Sequence, residues 1–220
     1  MNIAENLEKL RKSLPGNVTL VAVSKTKPVA AVMEAYHAGQ RIFGENKAQE
    51  LVTRHAQLPG DVEWHFIGHL QTNKVKYIAP FISLIHSIDS LGLLAEVNRE
   101  ALKHNRVIDC FLQFYIATEE TKFGFTPDEA RSVLDSEIYK NLKNIRITGV
   151  MGMSSFTDDE ALVRNEFRTL AGYFRLIRPE YFSKADSFRE LSMGMSGDYP
   201  IAIAEGSTMV RIGTAIFGDR

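Results

Sequence analysis

The segment from Val18 to Pro28, VTLVAVSKTKP, decides the fold. Val18, Leu20 and Val21 to Val23 form a near-continuous, β-branched apolar run, which suits a strand covered on both faces. Pro28 blocks its extension and can open a helix at the first position. Lys25 is thereby placed at the carboxyl end of a buried strand. A lysine there reads either as a solvated residue of a βα loop or as an amine that attacks a carbonyl. This stretch alone favours the solvated reading, because most lysines are exposed.

Working outward, the same strand-then-helix pattern repeats. A helical segment from Pro28 to Ala38 stops at Gly39, and Arg41 to Phe43 leads through GEN into a helix ending at Ala56. Glu63 to Ile67 leads through GHLQTN into a short helix near Lys74 to Tyr77. Leu84 to Ser87 precedes a helix capped by Asp89 or Ser90 and running to about Lys103. In the second half, Val107 to Ala117 is a strand, and Thr126-Pro127-Asp128-Glu129 opens a helix to about Tyr139. Ile145 to Val150 is followed by a capping signature at Thr157 to Glu160 and a long helix expected to end before Pro179. Phe188 to Ser192 and Thr208 to Ile212 supply the last strands, with a short helix around Ile201 to Ala204 between them. About eight strands alternating with helices is the count of a single-domain (β/α)8 barrel, usually about 250 residues long. No Pro-, Gly- or Ser-rich linker divides the 220 residues, so one domain spanning 1–220 is expected.

An amphipathic N-terminal helix with Ile3, Leu7, Leu10 and Leu14 on one face precedes the barrel and lacks the uninterrupted apolar core of a signal peptide. The lone Cys110, inside VIDCFLQFYIA, reads as a small core residue in a reducing compartment. A cytoplasmic location follows as the expectation. With 26 basic and 27 acidic residues the formal net charge is -1, without blocks of like charge, so neither a nucleic-acid nor a membrane partner is expected.

In such a barrel ligands bind at the carboxyl ends of the strands, and the loops after the seventh and eighth strands often hold a phosphate. Here those loops are SMGMSGD, residues 192–198, and RIGT, residues 211–214. Each combines glycine, through which backbone N–H groups approach an anion, with a hydroxyl, Ser196 in one and Thr214 in the other. Gly194, Gly197 and Gly213 could each merely turn a corner; two such loops at the positions where the fold expects a phosphate favour the site. Closure puts the first strand beside the eighth, so Lys25 and the phosphate loops lie within one cofactor's reach. Pyridoxal 5'-phosphate has both handles, a phosphate and an aldehyde that forms a Schiff base with lysine. Arg211 could face its pyridine nitrogen; a guanidinium stays protonated, so it would donate there and weaken the ring as an electron sink.

VAVSKTKP at 21–28, FGEN at 43–46, WHFIGHLQTNK at 64–74, LSMGMSGD at 191–198 and GSTMVRIGTAIFG at 206–218 carry a resemblance over nearly the whole chain. They resemble the pyridoxal phosphate homeostasis proteins, also called the YggS or PROSC family. The resemblance implies a barrel similar to the N-terminal domain of alanine racemase, without that enzyme's second domain. It implies that Lys25 is the Schiff-base lysine and that Ser196, Gly213 and Thr214 hold the phosphate. It further places Arg211 against the ring nitrogen and Asn46 and Met195 beside the cofactor. Lys47-Ala48 after GEN, and His69 in HFIGHLQ, depart from the family pattern without touching these residues. The function implied is binding of the cofactor and maintenance of its intracellular level, with vitamin B6-dependent apoenzymes as recipients and a monomer as the working form. The competing reading is an amino-acid racemase, which needs a second acid/base that alanine racemase takes from a tyrosine of its other domain. None of Tyr36, Tyr77, Tyr115, Tyr139, Tyr173, Tyr181 and Tyr199 lies in a motif marking such a base. A phosphate-sugar barrel enzyme that never forms a Schiff base is the third reading.

The other candidates read as structural. His65 and His69 are four apart but on a strand and a loop, which argues against a zinc pair. His86 is expected at the end of the fourth strand, Met151 and Met153 at the barrel mouth, Glu119, Glu120 and Lys122 in a solvated loop, and Lys74 and Lys76 in a mild basic patch.

Overall fold

Eight parallel strands close on themselves in chain order in the computed structural model, which describes residues 2–118 and 123–218. The strands are β1 (Thr19–Val23), β2 (Ile42–Glu45), β3 (Glu63–Phe66), β4 (Leu84–Ile88), β5 (Ile108–Gln113), β6 (Ile145–Met151), β7 (Glu190–Ser192) and β8 (Met209–Ile212). The seam is the β1–β8 ladder, Thr19 opposite Met209 through Ala22 opposite Ile212. The fold is therefore the expected (β/α)8 barrel.

Strand alternation sorts the apolar side chains into two sets. Leu20, Ala22, Phe43, Trp64 and Phe66 belong to the large core between barrel and helices. Val21, Leu84, Phe111, Met151 and Met209 form a separate cluster, packed with Met153, that fills the barrel interior. The buried Cys110 belongs to the outer core, where burial pushes its thiol pKa up, so it is inert as a nucleophile.

The helices are α1 (Ile3–Ser13), α2 (Val29–His37), α3 (Ala48–His55), α4 (Val75–Ile78, after a 3-10 turn at Thr72–Lys74), α5 (Leu91–Lys103), α6 (Pro127–Asp135), α7 (Glu137–Lys140), α8 (Glu160–Tyr181), α9 (Tyr199–Ala204) and α10 (Thr214–Phe217). In α1, Ile3, Leu7 and Leu10 are buried, and Asn6 Nδ2 donates to the Ile216 carbonyl (3.0 Å), joining the chain's beginning to α10. No helix among the described residues is long and apolar enough to cross a membrane.

Several boundaries differ from the sequence reading. Pro28 is the cap residue before α2, in an extended conformation, and not its first helical residue. Strand β5 ends at Gln113 instead of Ala117, because Tyr115 N and Phe125 N bond to Phe125 O and Gln113 O, turning the chain onto residues 123–125. The helix expected to reach Tyr139 breaks at Ser136, whose hydroxyl donates to Val133 O (2.6 Å) and accepts from Tyr139 N (3.2 Å), closing α6 and opening α7. Helix α8 runs through Pro179 to Tyr181, since a proline in the last turn removes one hydrogen bond and leaves the cap bond of Phe182 N to Arg178 O intact. Thr126 and Glu129 form the expected capping box, and Ser90, not Asp89, caps α5.

Candidate functional site

Lys25 sits half-buried in the loop from β1 to α2, and both sides of it are tied down. On one side Ser24 N donates to Gly44 O (3.1 Å) and Ser24 Oγ to Glu45 Oε1 (2.6 Å). On the other, Arg54 Nη2, from α3, donates to Lys27 O (2.6 Å) while its Nε contacts Glu45 Oε1 at 2.9 Å. Glu45 is fully buried, and burial pushes its carboxyl pKa up against the pull of Ser24 and Arg54. Between the two ties, Thr26 adopts φ +66°, a left-handed conformation costly for a β-branched residue. A buried ion pair thus ties both ends of the lysine loop, whose own turn is closed by Lys27 N donating to Ser24 O (3.1 Å). Sequence reading missed Ser24, Glu45 and Arg54; the acid within FGEN, on the strand beside Lys25, was the available signal. Asn46 follows Glu45 at the end of β2, and the loop after β3 lies directly on it: a Cβ on Gly68 would stand 2.5 Å from Asn46 O.

Across the seam, the loops after β7 and β8 meet. Ser196 Oγ accepts from Gly213 N (3.3 Å) and Ala215 N (3.5 Å), so the hydroxyl and two backbone donors already share one point. Gly213 backs onto β1, where an added Cβ would lie 3.2 Å from Val23 O, two residues before Lys25. Gly194 turns the β7 loop at φ +97°, and Asp198 braces that loop by accepting from Met195 N and, at 2.7 Å, from Ser154 Oγ. Thr214 begins α10 and is exposed, as is Met195 on the rim. The structure therefore brings Ser196, Gly213 and Thr214 together, with Lys25 across the seam. Ala215 contributes through its backbone, which no side-chain motif could reveal.

Arg211 points inward and is 3% exposed. Its Nη1 donates to Ser192 Oγ (2.6 Å) and its Nη2 to Gly152 O (3.1 Å), both neutral acceptors. Burial pulls its pKa down to about 10, opposed by the charge of Asp198, so it stays a cation at neutral pH. Below it, His86 Nδ1 lies 3.1 Å from Ser192 Oγ and His86 Nε2 lies 3.1 Å from His65 Nδ1. His86 is thus not at a strand end: β4 continues to Ile88, and the imidazole lies in the barrel interior. Burial drives His65 to about 3 and His86 well below its ordinary value, so both are neutral at pH 7. His69 stands apart, 3.1 Å from Asp89 Oδ2 and stacked on Phe123. No cluster of three or more metal-ligating side chains occurs among the described residues. Lys74 and Lys76 lie over the Tyr77 ring, 5.9 and 5.0 Å from its centroid. Glu119, Glu120 and Lys122 fall outside the described residues.

This donor set fits a phosphorylated carbonyl compound with a ring acceptor. Two amides and two hydroxyls suit a phosphate, a half-buried amine suits a carbonyl, and a buried cation between neutral partners suits a ring nitrogen's lone pair.

Comparison with known proteins is consistent with this geometry. The family model for the alanine racemase N-terminal domain matches residues 1–220. The pyridoxal phosphate homeostasis protein of Aquifex aeolicus is 39% identical over 202 residues, covering 91% of this chain and 86% of that one. PipY of Synechococcus elongatus, solved with PLP bound, superposes with a TM-score of 0.88 at 37% identity, covering 98% of this chain and 100% of that one. The alanine racemase of E. faecalis shares the fold, with a TM-score of 0.72 at 18% identity over 100% of this chain and 58% of that one.

Proposed function

From this chain's place in the alanine racemase N-terminal domain family, and within it among the pyridoxal phosphate homeostasis proteins to which it belongs, we propose that it binds pyridoxal 5'-phosphate at the upper mouth of the barrel and holds it on Lys25. The observation that carries the reading is the convergence of Ser196 Oγ with Gly213 N and Ala215 N, one strand away from Lys25. Ser196, Gly213, Thr214 and the Ala215 amide hold the phosphate. Lys25 bonds to the aldehyde, Arg211 offers a donor to the ring nitrogen, and Asn46 and Met195 border the ring. The cofactor supplies a reactive aldehyde and an electron-withdrawing ring.

What the chain's own residues add is restraint. The Glu45–Arg54 tie orients the lysine loop. A cationic Arg211 keeps a proton off the ring nitrogen, which weakens electron withdrawal. Tyr36 and Tyr181 donate to Asp61 and Asp135, and Tyr139, Tyr173 and Tyr199 pack on the outer core, so none of these five supplies a second acid/base over Lys25. The reading is a carrier that buffers the cofactor in the cytoplasm and passes it to apoenzymes, acting as a monomeric single-domain barrel, in preference to a racemase.

The test is direct. Titration with pyridoxal 5'-phosphate should raise a visible absorption band that borohydride fixes, with the label mapping to Lys25. Lys25→Ala should fold as the parent does and lose the band, because a half-buried loop lysine contributes little to stability. A fixable band surviving in Lys25→Ala would reassign the lysine. Exchange of the α-proton of L-amino acids in deuterated water at about 1 per second or faster would favour the racemase reading.

A further inference from the structure

Arg211, Ser192, His86 and His65 form one continuous hydrogen-bonded column along the barrel interior, with links of 2.6, 3.1 and 3.1 Å. It starts under the upper mouth and ends at His65, which lines a cavity of about 530 Å³ at the opposite mouth together with Thr19, Glu63, Leu84 and Asp109. The four side chains are between 0 and 4% exposed and cross a layer otherwise filled by Val21, Leu84, Phe111, Met151 and Met209. Polar groups threaded through an apolar layer carry a desolvation cost unless every donor finds an acceptor, so the direction of each bond is constrained.

That direction follows from Ser192. Its hydroxyl accepts from the Arg211 guanidinium, which has only N–H donors and no lone pair with which to accept. Within the column the acceptor left for the Ser192 proton is His86 Nδ1. A neutral His86 that accepts at Nδ1 carries its proton at Nε2 and donates it to His65 Nδ1. His65, also neutral, then carries its proton at Nε2, toward the lower cavity. The reverse polarity would give Ser192 two donors and leave its own proton unsatisfied in a fully buried position.

We propose that His86 and His65 are positioning residues for Arg211, forming with Ser192 a one-way hydrogen-bond column that fixes the guanidinium from below and ties it to the lower mouth. Neither histidine reaches the upper mouth; both act through Ser192. The consequence for the cofactor, a guanidinium held steadily at the ring nitrogen, rests on the reading in the preceding section; the column itself does not.

The experiment begins without cofactor. Nitrogen-15 NMR of the parent protein should show both imidazoles as Nε2–H tautomers at neutral pH; an Nδ1–H tautomer at either one overturns the polarity and the proposal. In His86→Leu the Arg211 guanidinium protons should exchange with water about tenfold faster, as expected for loss of one buried hydrogen bond. His86→Asn, which keeps an acceptor near the Nδ1 position, should restore slow exchange. Unchanged exchange in His86→Leu overturns the proposal. Should that variant fail to fold, His86→Gln, which keeps a polar side chain but no acceptor at the Nδ1 position, reads the same quantity. With pyridoxal 5'-phosphate bound, its ring-nitrogen resonance should shift in His86→Leu and return in His86→Asn. Failure of the parent to bind the cofactor would instead remove the proposed function, leaving the tautomers to decide the column.

Discussion

Two buried polar clusters flank the mouth of this barrel, and they are built on opposite principles. Outside the barrel wall, Glu45 and Arg54 are an ion pair, with Ser24 and Lys27 O adding further hydrogen bonds. Inside the wall, Arg211 is a cation whose acceptors are a hydroxyl and a carbonyl, continued below by two neutral imidazoles. The outer pair has its charge balanced and serves to hold a loop. The inner column carries a cation whose hydrogen-bond acceptors are neutral, with the charge of Asp198 acting on it from the β7 loop, at the place where a ligand lone pair is proposed to sit. Burial alone therefore does not distinguish the two clusters; a bonded counter-charge does.

The sharpest way to break the outer cluster is to remove one partner. Arg54→Met leaves the Glu45 carboxyl without its cation in the core, where Glu45 Oε2 already lacks a hydrogen-bond partner, and should cost about 3–5 kcal/mol. Urea denaturation measures it. The double change Glu45→Leu with Arg54→Met should recover most of that loss while loosening the Lys25 loop; equal losses for single and double variants would show that the charge is not the cause.

Acid tests the inner column. A histidine with a depressed folded pKa binds its proton more readily when unfolded, so stability falls as pH drops through the unfolded value near 6.5 and goes on falling until the folded value, about 3 for His65. Each such group should contribute about 1.4 kcal/mol of loss per pH unit in that window. Comparing urea midpoints at pH 7 and pH 4.5 should show a loss of about 2.7 kcal/mol from His65 alone. His65→Gln should flatten that pH dependence, and a parent protein equally stable at both pH values would remove the neutral-histidine assignment.

The phosphate cradle sharpens the comparison from the ligand's side. Ser196→Ala and Thr214→Val each delete a hydroxyl that would face a charged acceptor, so each should weaken pyridoxal 5'-phosphate binding by about tenfold to a hundredfold. Pyridoxal, lacking the phosphate, should barely respond. The smallest expected effect is at Thr26, whose φ of +66° lies within the turn closed by Lys27 N and Ser24 O. Thr26→Asn, a residue that tolerates the left-handed region, should raise stability by about 1 kcal/mol. A decrease would mean that the threonine side chain makes a compensating contact.

Periodicity and turn chemistry are local properties, and what depends on them was legible in the chain itself. The alternation of apolar runs and capped helices, the Thr126 capping box, the left-handed Gly39 and the eight-strand count all hold in the structure. The two glycine-hydroxyl loops meet at Ser196, because the fold's topology places β8 between β7 and β1 whenever the barrel closes. Boundaries set by distant partners were not legible. Strand β5 stops where residues 123–125 return to it, and His86 lies within a strand that continues to Ile88.

The polar clusters belong to the same class. Glu45 and Arg54 are nine residues apart on a strand and a helix, and Arg211, Ser192, His86 and His65 come from four different strands. Sequence by itself determined the barrel, its mouth and the residue types waiting there, since those follow from short-range pattern. Only the tertiary structure decided which buried charge meets an opposite charge and which is left facing the site, because the energy of a buried ion depends on what lies within a few ångströms of it in space.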